Sequence, residues 1–228
     1  MVNLLKTAKG NYLCTVGKKG KLEKFAAVTA FENCYEYAKE LKGKWSSDVF
    51  KNDKPITVEL ACGKGEYTIG LAERFPDRNF IGIDLKGNRI WKGAKYALEN
   101  NLTNVAFHRI MIGNIEEYFE KGEIDEFWIT FPDPQHARKR KRLTNAMFLE
   151  RYRNISKDGT TMNLKSDSTR FYGYTKETIA EQKLTILEDS ADLYAWDEIP
   201  EYLANIQTFY ENMWLAEGKK IKYLKYVL

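Results

Sequence analysis

Two acids and a pair of glycines are spaced in a way that suits a ligand containing ribose. Glu59 is followed by Gly63 and Gly65, and Asp84 comes nineteen residues after Gly65. Glycines let the backbone approach a ligand, and an acid about 20 residues past such a turn hydrogen-bonds ribose hydroxyls. A carboxylate beside the turn would repel a pyrophosphate and attract a cation, which favours S-adenosylmethionine, with its ammonium and sulfonium groups, over a dinucleotide. The alternative for the glycine turn is a βα turn that binds no ligand. The alternative for Asp84 is a helix N-cap.

Three more polar residues follow the ends of predicted strands farther along the chain. Asp133 lies between two prolines directly after one strand, and Asp167 follows the next strand. Ligands of a doubly wound sheet bind outside the carboxyl ends of its strands, so both aspartates are expected where donor and acceptor meet. Asn114, after an earlier strand, is a candidate for contact with an adenine ring and equally for a helix N-cap. The Pro-Asp-Pro corner has ordinary turn chemistry as its alternative.

Five consecutive cations begin a few residues after Asp133. Like charges repel one another, and a small acidic ligand would need only one or two of them. A polyanion such as a nucleic acid is therefore the favoured partner, with a solvated loop as the alternative. Binding through phosphates would release counterions and depend strongly on salt. The run consists of Arg138, Lys139, Arg140, Lys141 and Arg142.

The elements that must position these residues alternate between apolar runs and helical patterns, which predicts an α/β fold. A last helix, a turn at Gly218 and a terminal strand predict an antiparallel hairpin that closes the sheet. Strands are predicted over 56–60, 79–83, 105–111, 126–131, 160–164 and 221–228, and helices over 22–41, 66–74, 87–101, 115–119, 143–155, 175–182 and 205–216.

The whole chain has 228 residues, of which 43% are hydrophobic and 30% are charged. These values indicate one globular domain over residues 51–228, preceded by residues 1–50 as a partly mobile basic arm and an N-terminal helix. No apolar run approaches a membrane span or a signal peptide, and the three cysteines are scattered. We therefore predict a cytoplasmic protein without a membrane partner. With two histidines and no Cys/His cluster, no metal site is predicted.

Three short motifs resemble those of bacterial tRNA (guanine-N7-)-methyltransferases. In addition, Glu59 to Gly65 is similar to motif I of class I methyltransferases, with Ala61 at its first glycine. The resemblance covers about Val58 to Leu228 and leaves the first 50 or so residues without a motif. The three motifs are Phe131-Pro132-Asp133-Pro134 with the basic run, Leu164-Lys165-Ser166-Asp167 with Tyr172 and Tyr174, and Thr208-Phe209-Tyr210-Glu211.

This resemblance implies a mostly parallel, seven-stranded Rossmann-like sheet with helices on both faces. It also implies transfer of a methyl group from S-adenosyl-L-methionine to N7 of guanine 46 in the variable loop of tRNA. With the glycine turn included, the predicted donor-binding residues are Glu59, Gly63, Gly65, Asp84, Asn114 and Asp133. The predicted guanosine-binding residues are Arg138, Asp167, Thr208 and Glu211, and Lys139 to Arg142 are predicted to contact the tRNA backbone.

Two departures from the family pattern concern the basic loop. The family's lysine falls on Ala137, so Arg138 is expected to replace it, and the family's tryptophan falls on Gln135. Because guanine N7 carries a lone pair and no proton, the reaction needs no general base to start. We expect Asp133 and Asp167 to act as the catalytic pair by stabilising the cationic product ring.

Two other functions remain open at this point. One is an N-methyltransferase with the same donor that acts on a protein or a small molecule. The other is a non-catalytic RNA-binding Rossmann module, which Ala61 and Ala137 keep under consideration. The chain is expected to be a monomer or a homodimer, and its basic segment from Lys6 to Lys24 is expected to touch tRNA outside the variable loop.

Overall fold

A computed structural model describes residues 26–228, residue 20, and the backbone of residues 5–6 and 12–13. The two short segments, β1 (Leu5–Lys6) and β2 (Tyr12–Leu13), pair as an antiparallel hairpin. Most of the predicted basic arm, and with it the expected contact between its lysines and tRNA, lies outside the described residues.

An eight-stranded sheet organises the described chain, in the spatial order β3-β6-β5-β4-β7-β8-β10-β9. Neighbouring strands run parallel from β3 to β8, whereas β10 is antiparallel to both β8 and β9. This confirms the mostly parallel sheet with an antiparallel C-terminal hairpin. Strand order reverses between β4 and β7, which is where such sheets bind ligands. The strands are β3 (Cys34–Glu36), β4 (Ile56–Leu60), β5 (Asn79–Ile83), β6 (Val105–Arg109), β7 (Ile124–Thr130), β8 (Ser156–Ser166), β9 (Ile186–Ser190) and β10 (Lys222–Val227).

The sheet has one strand more than predicted because part of the expected helix over 22–41 is a strand. Cys34–Glu36 pairs in parallel with β6 at the edge of the sheet. Nearby, the fully buried Trp45 packs between His108 and Phe119, with ring centroids 4.9 and 5.4 Å away. Pairing with β6 and burial of these rings outweigh a weak helical pattern. Part of the predicted N-terminal segment thus shares the core of the sheet.

Helices cover both faces of the sheet, as expected. The helices are α1 (Glu66–Arg74), α2 (Gly87–Glu99), α3 (Ala146–Ile155), α4 (Thr169–Glu181), α5 (Glu201–Asn205) and α6 (Phe209–Ala216). One apolar core lies beneath α3 and α4 and includes Trp45, and the other lies beneath α1, α2 and α5.

The turn between β4 and α1 places three residues in the left-handed region, Ala61, Gly63 and Gly65, with φ of 61°, 59° and 73°. At Gly65 a Cβ would lie 2.5 Å from the ring of Phe107, so a side chain does not fit there. At Gly63 a Cβ would meet nothing within 4 Å, so this glycine borders open space. Ala61 adopts the same backbone region with a side chain, which costs roughly 1–2 kcal/mol.

Replacing Ala61 by glycine should therefore stabilise the protein. The relief of left-handed strain exceeds the larger conformational entropy of glycine in the unfolded chain, and we expect a gain of about 0.5–1 kcal/mol in the free energy of unfolding. Urea titration measures it. As a control, Ala180→Gly, at an exposed position of α4, should lower stability by about 0.5–1 kcal/mol. A loss of stability in Ala61→Gly would contradict the strain at this position.

Candidate active site

A pocket opens at the carboxyl ends of β4 and β7, on either side of the point where strand order reverses. It is a partly open cleft with a cavity volume of about 100 Å³. Its walls come from the glycine turn, α2, the end of β7 and the start of α6. The lining residues are Ala61, Cys62, Gly63, Lys64, Glu66, Arg89, Thr130, Phe131, Thr208 and Tyr210.

Asp84 joins the glycine turn to the segment that leads into α2. One carboxylate oxygen accepts the Gly63 N–H at 3.0 Å, and the other accepts the Lys86 N–H at 2.8 Å. The residue that caps α2 is Lys86 and not Asp84, so the N-cap alternative is wrong. Each carboxylate oxygen has a second lone pair. Asp84 therefore has acceptor capacity left for ribose hydroxyls. It is 7% exposed and is not among the pocket-lining residues of the described chain, so its contact with the donor stays a prediction.

Glu59 does not line the pocket, contrary to the prediction of direct contact with the donor. Its side chain is 3% exposed and accepts hydrogen bonds from the Thr68 N–H at 2.8 Å and from the hydroxyls of Thr68 and Thr130. Burial raises the pKa of the Glu59 carboxyl to about 7, and these hydrogen bonds oppose the shift. Glu59 reaches the pocket only through Thr130, so its role is to connect β4, α1 and β7.

Asn114 also lies away from the pocket lining of the described chain. It is exposed within a 3₁₀ segment, Ile112–Glu117, and Met111 occupies the N-cap of that segment. Asn114 itself has non-helical backbone angles, φ −114° and ψ 21°, at a kink between two turns of this segment. Both the N-cap alternative and the contact of Asn114 with adenine stay predictions.

Asp133 and Asp167 lie at the ends of adjacent parallel strands, as predicted. The Phe131 N–H donates to the Lys165 carbonyl at 2.9 Å, and each aspartate follows two residues beyond this pair. Asp133 is exposed and Asp167 is half-buried. Left-handed residues at Phe131 and Gln135 bend the chain on both sides of Asp133, whose carboxylate accepts the Gln135 N–H at 3.0 Å. Neither aspartate is among the pocket-lining residues of the described chain.

The basic run divides into four exposed residues and one buried one. Arg138 to Lys141 are exposed, and a 3₁₀ turn spans Lys139–Lys141. Arg142 is 1% exposed, lies 4.3 Å from the centroid of the Tyr174 ring and donates to the Pro134 carbonyl at 3.2 Å. Contact of Arg142 with RNA phosphates is therefore contradicted, since its guanidinium fastens the loop to the core.

Glu211 is fully buried, and its oxygen Oε2 has no hydrogen-bond partner in the described chain, so its contact with the guanine edge stays a prediction. Its carboxylate lies 2.7 Å from the Lys165 Nζ and accepts the Tyr194 hydroxyl at 2.8 Å, and both charged side chains are fully buried. Thr208 is the N-cap of α6 and accepts the Glu211 N–H at 3.1 Å. Its hydroxyl hydrogen is not used in that bond, so Thr208 keeps its predicted capacity as a donor.

Sequence reasoning missed several side chains of the pocket wall, among them Glu66, the first residue of α1. Lys64 and Arg89 are exposed cations on the lining, and Thr130 is the last residue of β7. Lys64 lies between Gly63 and Gly65, so its place in the predicted donor-binding turn could have identified it as a pocket residue. Arg89 lies one helical turn into α2 and belongs to no motif, so only the tertiary structure places it here.

The pocket fits S-adenosylmethionine in three respects. Open space borders the backbone at Gly63, Asp84 has lone pairs for ribose hydroxyls, and Lys64 and Arg89 can attract a carboxylate. The positive end of α1 adds to that attraction.

The described residues show neither a membrane-spanning helix nor a cluster of metal ligands. Within that part of the chain, no helix has the length and apolar character needed to cross a membrane. The same residues contain no group of three or more His, Cys, Asp or Glu side chains arranged to hold a metal ion.

Comparison with known proteins agrees with this geometry. A family model described as "Putative methyltransferase" matches residues 53–224. The tRNA (guanine-N(7)-)-methyltransferase of Christiangramia forsetii is 48% identical over 221 residues, covering 92% of this chain and 99% of that protein. The protein of the same name from Bacteroides fragilis is 44% identical over 218 residues, covering 92% and 86%.

Solved structures show the same fold at low sequence identity. An antibiotic-related methyltransferase aligns with a TM-score of 0.59 at 15% identity, covering 80% of this chain and 91% of that one. The 16S rRNA methyltransferase KamB aligns with a TM-score of 0.58 at 12% identity, covering 95% and 96%. Fold and pocket together define a methyltransferase with the class I, Rossmann-like architecture. Within that class, the chain belongs to the tRNA (guanine-N(7)-)-methyltransferase family.

The buried Glu59 predicts a specific pH dependence of stability. Its pKa is about 7 when folded against 4.5 as the reference value, so between these values the folded state keeps a proton that the unfolded state releases. The contribution of Glu59 to the free energy of unfolding should fall by up to roughly 3 kcal/mol as pH rises through this window. The buried His108, whose pKa is lowered to about 3 by burial, contributes in the opposite direction, so the fall is read as the difference between wild type and variant. Glu59→Gln should remove this fall. Urea titrations at pH 5 and pH 8 test it, with the exposed Glu150→Gln as a control that retains it.

The division of the basic run predicts two different mutant phenotypes. Arg140→Gln should weaken tRNA binding and lower the slope of log K against log salt by up to about 0.9, because one phosphate contact is lost. Arg142→Gln should leave that slope unchanged and lower the free energy of unfolding by about 2 kcal/mol. Salt titrations and thermal melts measure both. A change of slope in Arg142→Gln without a loss of stability would contradict its structural role.

Proposed function

We propose that this enzyme transfers the methyl group of S-adenosylmethionine to N7 of guanine 46 in the variable loop of tRNA. The observation that supports the proposal is that Asp133 and Asp167 each lie two residues beyond the backbone hydrogen bond between Phe131 and Lys165, and that Phe131 lines the pocket. Membership of the family, at 48% identity to the Christiangramia forsetii protein, supports the reaction and its substrate class.

The donor is held in this proposal by the glycine turn and its neighbours. Gly63 offers open space against the backbone, Asp84 accepts from the ribose hydroxyls, and Lys64 and Arg89 attract the carboxylate of the donor. S-adenosylmethionine supplies an electrophilic methyl group on a sulfonium. Glu59 contributes indirectly, because it fixes Thr130 in the pocket wall.

The chain's part in the reaction is to orient guanine and to stabilise developing charge. N7 attacks with an in-plane lone pair and has no proton to lose. Correct placement of the two reactants can supply roughly 7–11 kcal/mol of the barrier. Asp133 and Asp167 accept from the guanine N1–H and exocyclic amine, and their negative charge favours the cationic ring that forms in the transition state.

The start of α6 supplies further contacts with the acceptor. Thr208 donates its hydroxyl hydrogen to guanine in this proposal. Phe209 and Tyr210 are 55% and 49% exposed beside the pocket, and exposed rings stack on unpaired bases in RNA-binding proteins. Tyr210 also lines the pocket, so a stacked base would lie next to the donor.

The RNA backbone is held by the exposed part of the basic loop, Arg138 to Lys141. These cations lie a few residues from Asp133 and carry no carboxylate partner within 4 Å in the described chain. They are therefore available for phosphates, which would position the variable loop over the pocket.

The proposal is tested by incubating the enzyme with labelled S-adenosylmethionine and unmodified tRNA and mapping the methylated nucleotide. Asp133→Asn and Asp167→Asn should each lower kcat by about 10²- to 10³-fold, because the lost charge acts mainly in the transition state. Asp167→Asn should leave donor affinity within twofold, whereas Asp133→Asn should also weaken it, since Asp133 is a predicted donor-binding residue. Asp158→Asn, an exposed residue at the opposite end of β8, is the matched control. Methylation at another position, or salt-independent activity, would reject the assignment.

A further inference from the structure

The donor turn and the acceptor helix α6 are joined by one carboxylate. Glu66 is the first residue of α1, and its side chain accepts the N–H of Phe209, the first residue of α6, at 3.0 Å. The first N–H groups of a helix have no partner within that helix. A negative charge is also favourable at the positive end of a helix. Glu66 therefore supplies a hydrogen-bond acceptor for the first N–H group of α6, although it lies 143 residues earlier in the chain.

A second contact between the same two segments involves a ring. The Lys64 Nζ lies 4.5 Å from the centroid of the Phe209 ring, within the range of a cation–π interaction. The rings of Phe209 and Tyr210 meet edge to face with centroids 5.6 Å apart. The two contacts together hold the exposed aromatic pair beside the glycine turn.

We infer that Glu66 is a positioning residue for the RNA acceptor, which fixes the start of α6 and its aromatic pair relative to the donor turn. The inference rests on the proposed function. Thr208 and Tyr210 line the same pocket as Glu66. When the bond to Phe209 is lost, the acceptor wall shifts while the glycine turn and Asp84 stay in place. RNA binding and turnover should therefore suffer more than donor binding.

Two substitutions at one position isolate the hydrogen bond. Phe209→Leu and Phe209→Pro both remove the ring, but only proline removes the N–H that Glu66 accepts. Proline is well tolerated at the first position of a helix, and Thr208 has φ −73° and ψ 160°, which suits a residue before proline. Because hydrogen bonds to charged groups are strong, kcat/KM for unmodified tRNA should be about tenfold lower in Phe209→Pro than in Phe209→Leu. Affinity for S-adenosylhomocysteine, measured by calorimetry, should agree within twofold between the two variants.

A double-mutant cycle tests whether Glu66 is the partner responsible. Glu66→Leu should lower kcat/KM for tRNA about tenfold in the Phe209→Leu background and less than twofold in the Phe209→Pro background. Lys92, whose Nζ lies 4.0 Å from Glu66 and whose side chain is 65% exposed, provides the control. Lys92→Met should leave kcat/KM within twofold of the wild-type chain.

The dissociation constant for tRNA, thermal melts and methylation activity together separate failure of the inference from failure to fold and from failure of the proposed function. The dissociation constant for tRNA, measured without donor, should show the same tenfold difference between Phe209→Pro and Phe209→Leu, and thermal melts report folding. Equal values in the two variants, or a full Glu66→Leu effect in the proline background, would overturn the inference. If Phe209→Pro does not fold, an unchanged kcat/KM on adding Glu66→Leu to Phe209→Leu overturns it equally. Absence of methylation by the wild-type enzyme would instead reject the proposed function.

Discussion

The buried carboxylate of Glu59 is the constraint on which the architecture of the pocket depends. Removing a charge from water is costly unless hydrogen bonds compensate, and here Thr68 and Thr130 supply those bonds from two different elements. Glu59 therefore fixes the start of α1 and the end of β7 relative to β4, at the point where strand order reverses. The hydrogen bonds of Glu59 therefore set the distance between the glycine turn, which follows β4, and the segment carrying Asp133, which follows β7.

The central strands could be predicted closely from the sequence because they are short apolar runs that end in turn residues. β4 and β5 have the bounds expected, since each is buried along its whole length, β4 leads into the glycine turn and β5 is followed by Asp84. The edge strand β3 could not be predicted, because three half-buried residues carry no period of their own. Its strand geometry comes from β6, which supplies its hydrogen-bonding partners.

The site residues divide in a similar way. Positions at strand ends, such as Asp84, Asp133 and Asp167, follow from topology, because the carboxyl ends of parallel strands meet at one edge. Side-chain burial does not follow from topology. Arg142 looks like part of a solvated run, yet the Tyr174 ring and the Pro134 carbonyl draw its guanidinium inward. No spacing rule connects residues so far apart in sequence, so only the folded structure separates a phosphate contact from a structural one.

The buried pair of Lys165 and Glu211 shows how the acceptor side acquires one geometry. Burial lowers the pKa of the Lys165 ammonium, and the charge of Glu211 opposes that shift. Such pairs add little net stability, whereas removal of one partner alone costs about 3–5 kcal/mol. The pair connects β8 to α6. Lys165 lies two residues before Asp167, and Glu211 lies three residues after Thr208, so a single interaction at 2.7 Å sets the end of β8 against the start of α6. The pair thus holds in place the start of α6, where Thr208 and Tyr210 line the pocket.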